Sequence, residues 1–452
     1  MRFTMFYKNL LEFYPEFVEL LKKTSAGNFG IPISLDLQKQ KNLPKGLVYN
    51  ENTLYIERFF HQKMVLEDLA QKRNKACVEK LLMISPPDVL LNEAQKEATK
   101  AIFNEATLLL QGGPGSGKTF TISRLIPIFI KAFEHKFKRK PRILLAAQTA
   151  KAVHHLAKQI PTDFQPLIRV ETLHKALKIS KQIRSIEPCV IDEDLVIVDE
   201  SSMIDADMMN LFLQSLELRS RLILVGDPYQ LPPIEGGAPF KFLIEKKAFC
   251  HHFLPGSLRA ENKQIIEDAN ALFLGKAPYS FSIEQFDLNL SIEKFPQPHD
   301  ATAPIQHLQQ YKILSSLKVG PFGSQKISQD IFNLLKTKKG RYLHVPIMIT
   351  QNNEKMSLFN GQEGVMIYDK FKEVHHVFFP HLSEPVPSPL LPPHEISYAI
   401  SIHKSQGSEY SYVDILLPES KEPILKEHLY TAMTRAKKGL QIFDQNMISS
   451  LF

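Results

Sequence analysis

The chain has 452 residues, which is enough for about three domains of ordinary size. Hydrophobic residues make up 44% of it and charged residues 23%, a balance that is typical of a globular protein with a core and excludes an unfolded polar chain. The net charge of +7 favours a polyanionic partner such as nucleic acid, although a generally basic surface would give the same value.

The cysteines and the N-terminus exclude several kinds of site and location. Cys77, Cys189 and Cys250 lie far apart and form no C-x-x-C pair, so we expect no zinc or iron–sulfur site. Such isolated cysteines are typical of reduced thiols in a cytoplasmic protein. Residues 1–17 include acidic side chains and no long apolar segment, so we expect that they do not form a signal peptide. No stretch approaches 18 apolar residues, so no membrane span is expected.

The first 88 residues predict a small N-terminal domain without a catalytic signature. Hydrophobic spacing predicts a helix, a strand and a second helix there, over 16–23, 53–59 and 62–72. Pro86 and Pro87 mark its boundary. We expect this domain to contact a partner protein.

Strand-like apolar runs alternate with helical patterns over 89–250. The expected strands are 106–110, 142–147, 195–198 and 222–225. Continuous apolar strands between helices predict an α/β fold whose parallel sheet is covered on both faces.

A phosphate-binding motif follows the first of these strands. Residues 111–120 read QGGPGSGKTF, and G-x-x-x-x-G-K-T lies between an apolar run and a predicted helix over 120–130. The glycines let several backbone N–H groups face a phosphate, and the helix adds its positive end. A plain glycine-rich turn is the alternative, which the strand–loop–helix context disfavours.

This motif predicts a nucleotide site with Mg²⁺. Lys118 is expected to reach the β- and γ-phosphates, and Thr119 to hold the metal. The residues expected to line the nucleotide are Gly112, Gly113, Pro114, Gly115, Ser116, Gly117, Lys118, Thr119 and Phe120.

Two further strand ends carry candidate catalytic residues. Asp199 and Glu200 follow LVIV, and ligands bind at the carboxyl ends of such strands. We expect Asp199 to hold Mg²⁺ through water and Glu200 to deprotonate the attacking water. Gln230, in GDPYQLPP, could bond the γ-phosphate or that water. The alternative is a plain turn at the end of a strand, because G-D-P is a common turn sequence.

The second half of the chain predicts a further α/β unit with an insertion. Residues 276–310 are expected to form an irregular connection. Short strands and turns near 345–380 predict a small β-barrel. Strands at 396–402 and 413–417 and a last helix near 426–438 complete the unit.

Several polar residues here suit a charged ligand. Arg259 and Arg435 could stabilise charge on a transferring phosphoryl group, although a lone arginine is more often in a surface ion pair. Ser401, His403 and Lys404 follow a strand and suit a phosphate backbone, and no nucleophile elbow suggests a serine hydrolase. His154, His155 and His174 lack ligand spacing, which favours polar or DNA-facing roles over metal binding.

The order of these segments resembles that of superfamily 1 DNA helicases. It runs through the phosphate loop, AAQTAKAVHHL, ETLHKAL, VDESSM, GDPYQLPP, an arginine, HKSQGSE and YTAMTRAK. Within the superfamily the chain is similar to the RecD family, the α subunits of exodeoxyribonuclease V. The segments that carry this closer resemblance are 52–69, 313–323, 346–366 and 394–410.

The resemblance implies two tandem RecA-like P-loop NTPase domains that clamp ATP between them. They would occupy 89–250 and 251–344 with 394–452, and an SH3-like β-barrel would be inserted at 345–393. Arg259 and Arg435 would reach the nucleotide from the second domain. The implied activity is ATP-dependent 5′→3′ helicase movement on DNA, in a complex with RecB-like and RecC-like subunits.

The resemblance also assigns residues that the motifs alone do not. Gln95 would read the adenine of ATP. Single-stranded DNA would contact Thr149, Lys151, His174, Ser401, His403 and Lys404. Gln148, Ala150 and Ser401 depart from the family pattern, which bears on DNA affinity more than on ATP hydrolysis.

Three alternatives remain at this point. The chain could be an ATP-gated DNA-binding assembly subunit without unwinding activity, a reading that Glu200, Gln230 and both arginines disfavour. A nuclease is disfavoured because no carboxylate–lysine cluster for a second metal is evident. RNA is a weaker alternative as substrate.

Overall fold

The computed structural model forms two compact units, Met1–Gly256 and Ser257–Phe452. The residues it describes are 20, 24, 27–33, 43, 46–76, 78–83, 90–179, 189–234, 236–256, 263–274, 283–284, 286–295, 305–417 and 426–444. The predictions for Arg259, for Cys77, for the proline pair at 86–87 and for nearly all of the helix at 16–23 lie outside these residues. No described helix is long and apolar enough to cross a bilayer.

A three-stranded antiparallel sheet and a long helix begin the first unit. The strands are β1 (Gly30–Pro32), β2 (Leu47–Asn50) and β3 (Thr53–Ile56), in the order β1-β3-β2, and the helix is α1 (Glu57–Asn74). The strand predicted over 53–59 therefore ends at Ile56, where the helix begins. Phe29, Leu54 and Leu66 pack in the same apolar core as Leu109 and Val196 of the next sheet. The N-terminal sheet and α1 therefore share one apolar core with the following sheet, and the predicted domain boundary at residue 88 stays a prediction.

The main sheet of the first unit has six parallel strands in the order β6-β5-β7-β8-β4-β9. They are β4 (Thr107–Gly112), β5 (Ile143–Ala147), β6 (Ile168–Thr172), β7 (Leu195–Asp199), β8 (Arg221–Gly226) and β9 (Cys250–Leu254). The helices are α2 (Glu93–Ala101), α3 (Lys118–Phe137), α4 (Ala150–Lys158), α5 (Leu173–Ala176), α6 (Ala206–Ser215) and α7 (Pro239–Glu245). The four predicted strands are confirmed; β6 and β9 were not predicted, because IRVET and CHHFL interleave polar residues with apolar ones.

Side-chain alternation explains why helices cover both faces of this sheet. Leu109, Leu144 and Leu224 point into one core, and Leu108 and Leu145 point into another on the opposite face. Because every position of β4 is buried, its sequence lacks the polar alternation of a sheet that faces water on one side.

Arg73 of α1 is buried at the amino end of this sheet, where β4 begins. Its guanidinium donates to Thr107 Oγ1 at 2.7 Å, to the carbonyl oxygens of Ala106 and Glu217 at 3.3 Å each, and to the carbonyl oxygen of Ser220. Burial lowers the pKa of Arg73 to about 10. Helix α1 therefore contacts the sheet through the hydrogen bonds of Arg73 as well as through apolar packing.

The second unit has a five-stranded parallel sheet in the order β10-β19-β18-β11-β17. Its strands are β10 (Ile283–Glu284), β11 (Tyr311–Ser315), β17 (Ala399–Ser401), β18 (Tyr410–Leu417) and β19 (Ala436–Asp444). Its helices are α8 (Lys263–Ala271), α9 (Leu288–Glu293), α10 (Ser324–Thr337) and α11 (Lys426–Met433).

The last predicted helix, 426–438, is wrong at its C-terminal end. Helix α11 stops at Met433, and Ala436 begins β19, which pairs in parallel with β18 from Tyr410 onward. Lys437 and Lys438 favour a helix by local propensity. The segment is a strand instead, because Leu440 and Ile442 pair with the buried strand β18. The expected irregular connection at 276–310 also contains β10 and α9.

An antiparallel sheet is inserted between α10 and β17. Its strands are β12 (Tyr342–Ile349), β13 (Glu363–Asp369), β14 (His376–Phe378), β15 (Val386–Pro387) and β16 (His394–Ile396), in the order β15-β14-β13-β12-β16. These are the predicted short strands, and their closure into an SH3-like barrel stays a prediction. Lys312 of β11 joins the two sheets, because its buried ammonium donates to Glu363 of β13 and, at 2.9 Å, to the Ser397 carbonyl oxygen.

Candidate functional site

Three neighbouring strands of the first unit end together at one edge of the sheet. β7, β8 and β4 are adjacent in the sheet order, and their last residues are Asp199, Gly226 and Gly112. The acidic pair lies at the end of β7, the Gln230 segment follows β8, and the phosphate loop follows β4. The carboxyl edge of a parallel sheet is the usual position of a ligand site.

The phosphate loop needs its glycines for shape. Gly115 and Gly117 have φ values of +74° and +85°, in the left-handed region that other residues rarely adopt. A Cβ on Gly112 would lie 2.3 Å from Ser116 Oγ and 3.1 Å from Ser116 Cβ, so a side chain at this position would displace Ser116 from its place in the loop. Helix α3 then begins at Lys118, with Gly117 as its N-cap.

The two polar side chains of the loop, Lys118 and Ser116, differ in their hydrogen bonding. Lys118 Nζ donates to the carbonyl oxygens of Gly112, at 2.6 Å, and Gly113, at 2.9 Å. Ser116 is 1% exposed, and its Oγ has no hydrogen-bond partner among the residues that the structure describes. A buried hydroxyl without a partner requires a ligand or water to avoid an unfavourable desolvation. The loop therefore fits a phosphate group.

The acidic pair lies within electrostatic reach of the loop. Burial raises the pKa of Asp199 to about 7, and the charge of Glu200 adds to that rise. The Glu200 N–H, which donates to Asp199 Oδ1 at 2.8 Å, and the charge of Lys118 act in the opposite direction. Glu200 has a φ of +52°, an uncommon conformation for a residue with a side chain. A half-buried carboxylate with a raised pKa, beside a loop that fits a phosphate, suits a metal ion that would bridge the two.

Gln230 is held by an aspartate that the motif analysis did not single out. Asp227, 1% exposed, accepts from Gln230 Nε2 at 3.2 Å and from the Tyr229 N–H at 3.1 Å. Gln230 is 5% exposed, and no described residue bonds its Oε1. A Cβ on Gly226 would lie 3.0 Å from the Ser202 nitrogen, so this glycine lets the segments after β7 and β8 approach.

The remaining predicted nucleotide residues lie on α2 and α3. Gln95, 1% exposed, forms a capping box with Asn92, in which its Oε1 accepts from the Asn92 N–H at 3.0 Å. Its Nε2 is unpartnered within the described part of the chain. Phe120 carries the Arg124 guanidinium over its ring at 5.1 Å, and Thr119, Gly113 and Pro114 are half-buried.

The predicted DNA-contact residues of the first unit follow β5 and β6. Thr149 is the N-cap of α4, where its Oγ1 accepts from the Ala152 N–H at 3.3 Å. Lys151 is half-buried in the first turn of that helix, and His174 is exposed on α5. The side chains of His154 and His155 lie outside the described residues. β5 and β6 pair in register at Ala147 and Thr172, so both segments leave the same edge of the sheet.

The predicted residues of the second unit are largely engaged within that unit. Lys404 Nζ donates to Glu395 Oε1 at 2.6 Å. Ser401 is 8% exposed at the end of β17. His403 stacks edge-on against His428 with ring centroids 5.3 Å apart, and burial lowers the pKa of His403.

Arg435 is 3% exposed and makes three hydrogen bonds within its own unit. Its guanidinium donates to the Thr431 carbonyl oxygen at 3.0 Å, the Ser408 carbonyl oxygen at 3.2 Å and Thr434 Oγ1 at 3.3 Å. Arg259, the other predicted arginine, falls outside the described residues, so its role stays a prediction.

Comparison with known proteins gives two family matches and several relatives. Residues 95–235 match a family described as an AAA domain, and residues 397–442 match the UvrD-like helicase C-terminal domain. The RecBCD enzyme subunit RecD of Buchnera aphidicola is 27% identical, over 95% of this chain and 84% of its own length. That of Mycolicibacterium smegmatis is 27% identical over 85% and 78%, respectively. The ATP-dependent RecD2 DNA helicase of Deinococcus radiodurans is 25% identical over 81% and 53%.

Solved structures include a partial likeness to Pif1 helicases. The Bacteroides Pif1 helicase in complex with ADP-AlF3 and ssDNA has a TM-score of 0.49 and 18% identity, covering 78% of this chain and 92% of that one. The sequence comparisons, over most of the chain, confirm the resemblance to RecD that the motifs predict.

Proposed function

We propose that this chain, a RecD-like helicase of superfamily 1, is the ATP-driven motor subunit of a RecBCD-type complex. It would move 5′→3′ along DNA at a broken end and act in repair and recombination. The relatives named RecD support the complex, and the RecD2 relative is named an ATP-dependent DNA helicase.

The carboxyl edge of the first sheet is the observation that carries this proposal. The loop after β4, the acidic pair after β7 and Gln230 after β8 follow three adjacent strands. Ser116 Oγ and Gln230 Oε1 are buried there without partners among the described residues. Both atoms are therefore available to hydrogen-bond a ligand or its water at the edge where the phosphate loop lies.

The residues present fit Mg²⁺ and ATP. The loop N–H groups and Lys118 would hold the phosphates, Thr119 and Asp199 would hold the metal, and Gln95 would contact the base. When bound, Mg²⁺–ATP supplies the phosphoanhydride whose hydrolysis releases the free energy for movement.

Glu200 and Gln230 would act on the attacking water. Glu200 would accept its proton. Asp227 fixes the amide of Gln230 through its Nε2, which leaves Oε1 as an acceptor for that water. Arg435 would stabilise charge on the phosphoryl group if its present bonds to Thr431 and Ser408 are exchanged.

DNA would lie along the segments after β5, β6 and β17. Thr149, Lys151, His174, Ser401, His403 and Lys404 supply hydroxyls, imidazoles and ammonium groups that suit a phosphate backbone. Such contacts tolerate any sequence and weaken with salt. RecB-like and RecC-like subunits are the proposed protein partners, and a nuclease site would lie on another subunit.

A strand-displacement assay tests the proposal most directly. The purified chain is measured alone and with RecB-like and RecC-like subunits, on duplexes with a 5′ or a 3′ single-stranded tail. ATP-dependent displacement from the 5′ tail, lost in Lys118→Ala, is the expected result. ATP hydrolysis that DNA stimulates without any displacement, even in the complex, would favour an assembly subunit instead.

A further inference from the structure

Two basic segments that are distant in sequence meet at one end of the antiparallel sheet. The segment 336–341 (KTKKGR) ends α10 and leads into β12, and the segment 370–372 (KFK) follows β13. The Lys370 N–H donates to the Arg341 carbonyl oxygen at 3.1 Å, and Lys370 Nζ donates to the Lys338 carbonyl oxygen at 2.6 Å. We call these two segments together the basic turn surface.

The turn beneath this surface is fixed by several polar contacts. Arg341 makes a bidentate ion pair with Asp369, with Nε and Nη2 donating to Oδ2 at 3.1 and 2.9 Å. Asp369 Oδ1 accepts from the Phe371 N–H at 3.0 Å. Tyr368 stacks on His375 with centroids 4.2 Å apart. The exposed side chains are therefore presented on an ordered support and not on a free loop.

An aromatic ring is displayed between lysines on this support. Phe371 is 81% exposed, with Lys370 and Lys372 on either side of it in sequence. The surface has six lysine and arginine residues, and Asp369 and Glu373 are the acidic residues next to them, which leaves four positive charges of the chain's +7. Other apolar side chains, such as Ile234 and Leu82, are also exposed, but Phe371 combines an aromatic ring with a lysine on either side, and such a ring can stack on a base next to bound phosphates.

This surface lies away from the predicted DNA segment of the same unit. β11 and β17 are parallel neighbours, so the chain between them must return to the amino end of the sheet, and α10 makes that return. The insertion follows α10, and Lys336 Nζ lies 5.6 Å from the Tyr368 ring centre, next to the turn. Ser401 and Lys404 follow the carboxyl end of β17. The two sets of residues are thus on opposite edges of the sheet.

We propose that the basic turn surface is a second contact for single-stranded DNA, with a base stacked on Phe371 and phosphates on the lysines around it. The proposal rests on the proposed DNA-motor function. Charge complementarity favours a phosphate backbone. An exposed ring favours an unpaired strand, because duplex bases are stacked inside and cannot reach it. A strand leaving the motor would be held there, which would slow its dissociation between steps.

Binding of the full chain to a fluorescent dT oligomer of about 30 nucleotides, without ATP, tests this. Phe371→Ala should weaken binding about 5-fold or more, as loss of one stacked base predicts. Lys339→Ala combined with Lys372→Ala should reduce the slope of log affinity against log salt by about 1.4. Lys355→Ala, an exposed lysine elsewhere in the same inserted segment, is the matched control and should change neither quantity.

Each result decides the matter. Unchanged dT binding in both variants overturns the proposal. So does an equal loss on blunt duplex DNA, which would indicate duplex phosphate binding, or a loss of binding to the RecB-like or RecC-like subunits alone, which would indicate a protein contact. Because binding is measured without ATP, failure of the motor function appears separately, as absent ATP hydrolysis by the unmodified chain. Melting temperatures of the variants should equal that of the unmodified chain.

Discussion

Polar side chains at the carboxyl edge of the first sheet differ in their hydrogen bonding from those in the corresponding region of the second unit. In the first, Ser116 and Gln230 are buried with atoms that no described residue satisfies. In the second, Arg435 makes three hydrogen bonds and Lys404 an ion pair within the unit. The unsatisfied atoms of the first region lie beside a phosphate-binding loop and can accept a ligand there, whereas the bonds of Arg435 and Lys404 contribute to the fold of the second unit. Variants in the two regions should therefore fail in different ways.

Replacement of Lys118 should have the largest effect on activity. Lys118→Ala is expected to reduce ATP turnover by about 10²–10³-fold, the cost of removing one preorganised charged donor. Its melting temperature should fall less than that of Arg435→Ala, because the half-buried Lys118 bonds carbonyl oxygens of a loop, whereas Arg435 is 3% exposed. Lys131→Ala, an exposed site on the same helix, is the control. Full DNA-stimulated hydrolysis in Lys118→Ala would remove the basis for the proposed nucleotide site.

Replacement of Arg435 should affect stability first. Arg435→Ala removes the guanidinium donor from the Ser408 carbonyl oxygen and one of the two donors from the Thr431 carbonyl oxygen, which Thr434 Oγ1 still bonds, so we expect a loss of about 1–3 kcal/mol, measured as a lower melting temperature. If Arg435 also acts in catalysis, turnover falls below that of the unmodified chain at a temperature where both are folded, and ATP affinity is kept. A parallel loss of ATP binding and turnover would assign it a structural role alone.

His428 is one of the residues of the second unit with an unsatisfied buried atom, and it gives a pH dependence. Its Nδ1 lacks a partner within the described residues, and burial, with a smaller effect of His403, lowers its pKa to about 4. The unfolded chain binds a proton near pH 6.5 and the folded chain does not, so stability is lost as the pH falls from 6.5 towards 4. This loss amounts to at most about 3 kcal/mol.

His428→Asn should remove part of that loss. The melting temperature of the variant should fall less between pH 7 and about pH 5 than that of the unmodified chain, since asparagine does not titrate. An equal fall in both proteins would show that another group, such as His403, sets the acid sensitivity.

The pair of Lys404 and Glu395 should give the smallest effect. If Lys404 neutralises a DNA phosphate, Lys404→Ala lowers the slope of log affinity against log salt by about 0.7. Glu395→Gln, which removes the competing carboxylate, should then tighten binding slightly at low salt. If the salt slope changes in neither variant, Lys404 does not bind DNA, and its role is limited to the ion pair with Glu395 that stabilises the fold.

The sequence predicts the first unit better than the second for a physical reason. The strands that carry the phosphate loop and the acidic pair are continuous apolar runs, and burial on both faces makes that signal unambiguous. β9 and β19 contain polar and charged residues, and their strand form depends on pairing with partners far along the chain. Local propensity cannot report such pairing.

The site itself was predictable where a motif fixes geometry. The G-x-x-x-x-G-K-T spacing gives the positions of Lys118 and Gly112 directly. Asp227 was missed as a functional residue, although its place after a buried strand in GDPYQ is the same signal that identified Asp199. Glu395 could not be found from sequence, because its contact with Lys404 depends on how β16 lies beside the turn after β17.

The buried Arg73 sets a limit on how the first unit can be shortened. A chain that begins at the phosphate-loop domain, without α1, would lose the donor to the carbonyl oxygens of Ala106, Glu217 and Ser220. It would also uncover the apolar face formed by Leu109 and Val196. An isolated ATPase fragment cut at residue 89 should therefore aggregate, and one that retains residues 27–76 should stay in solution.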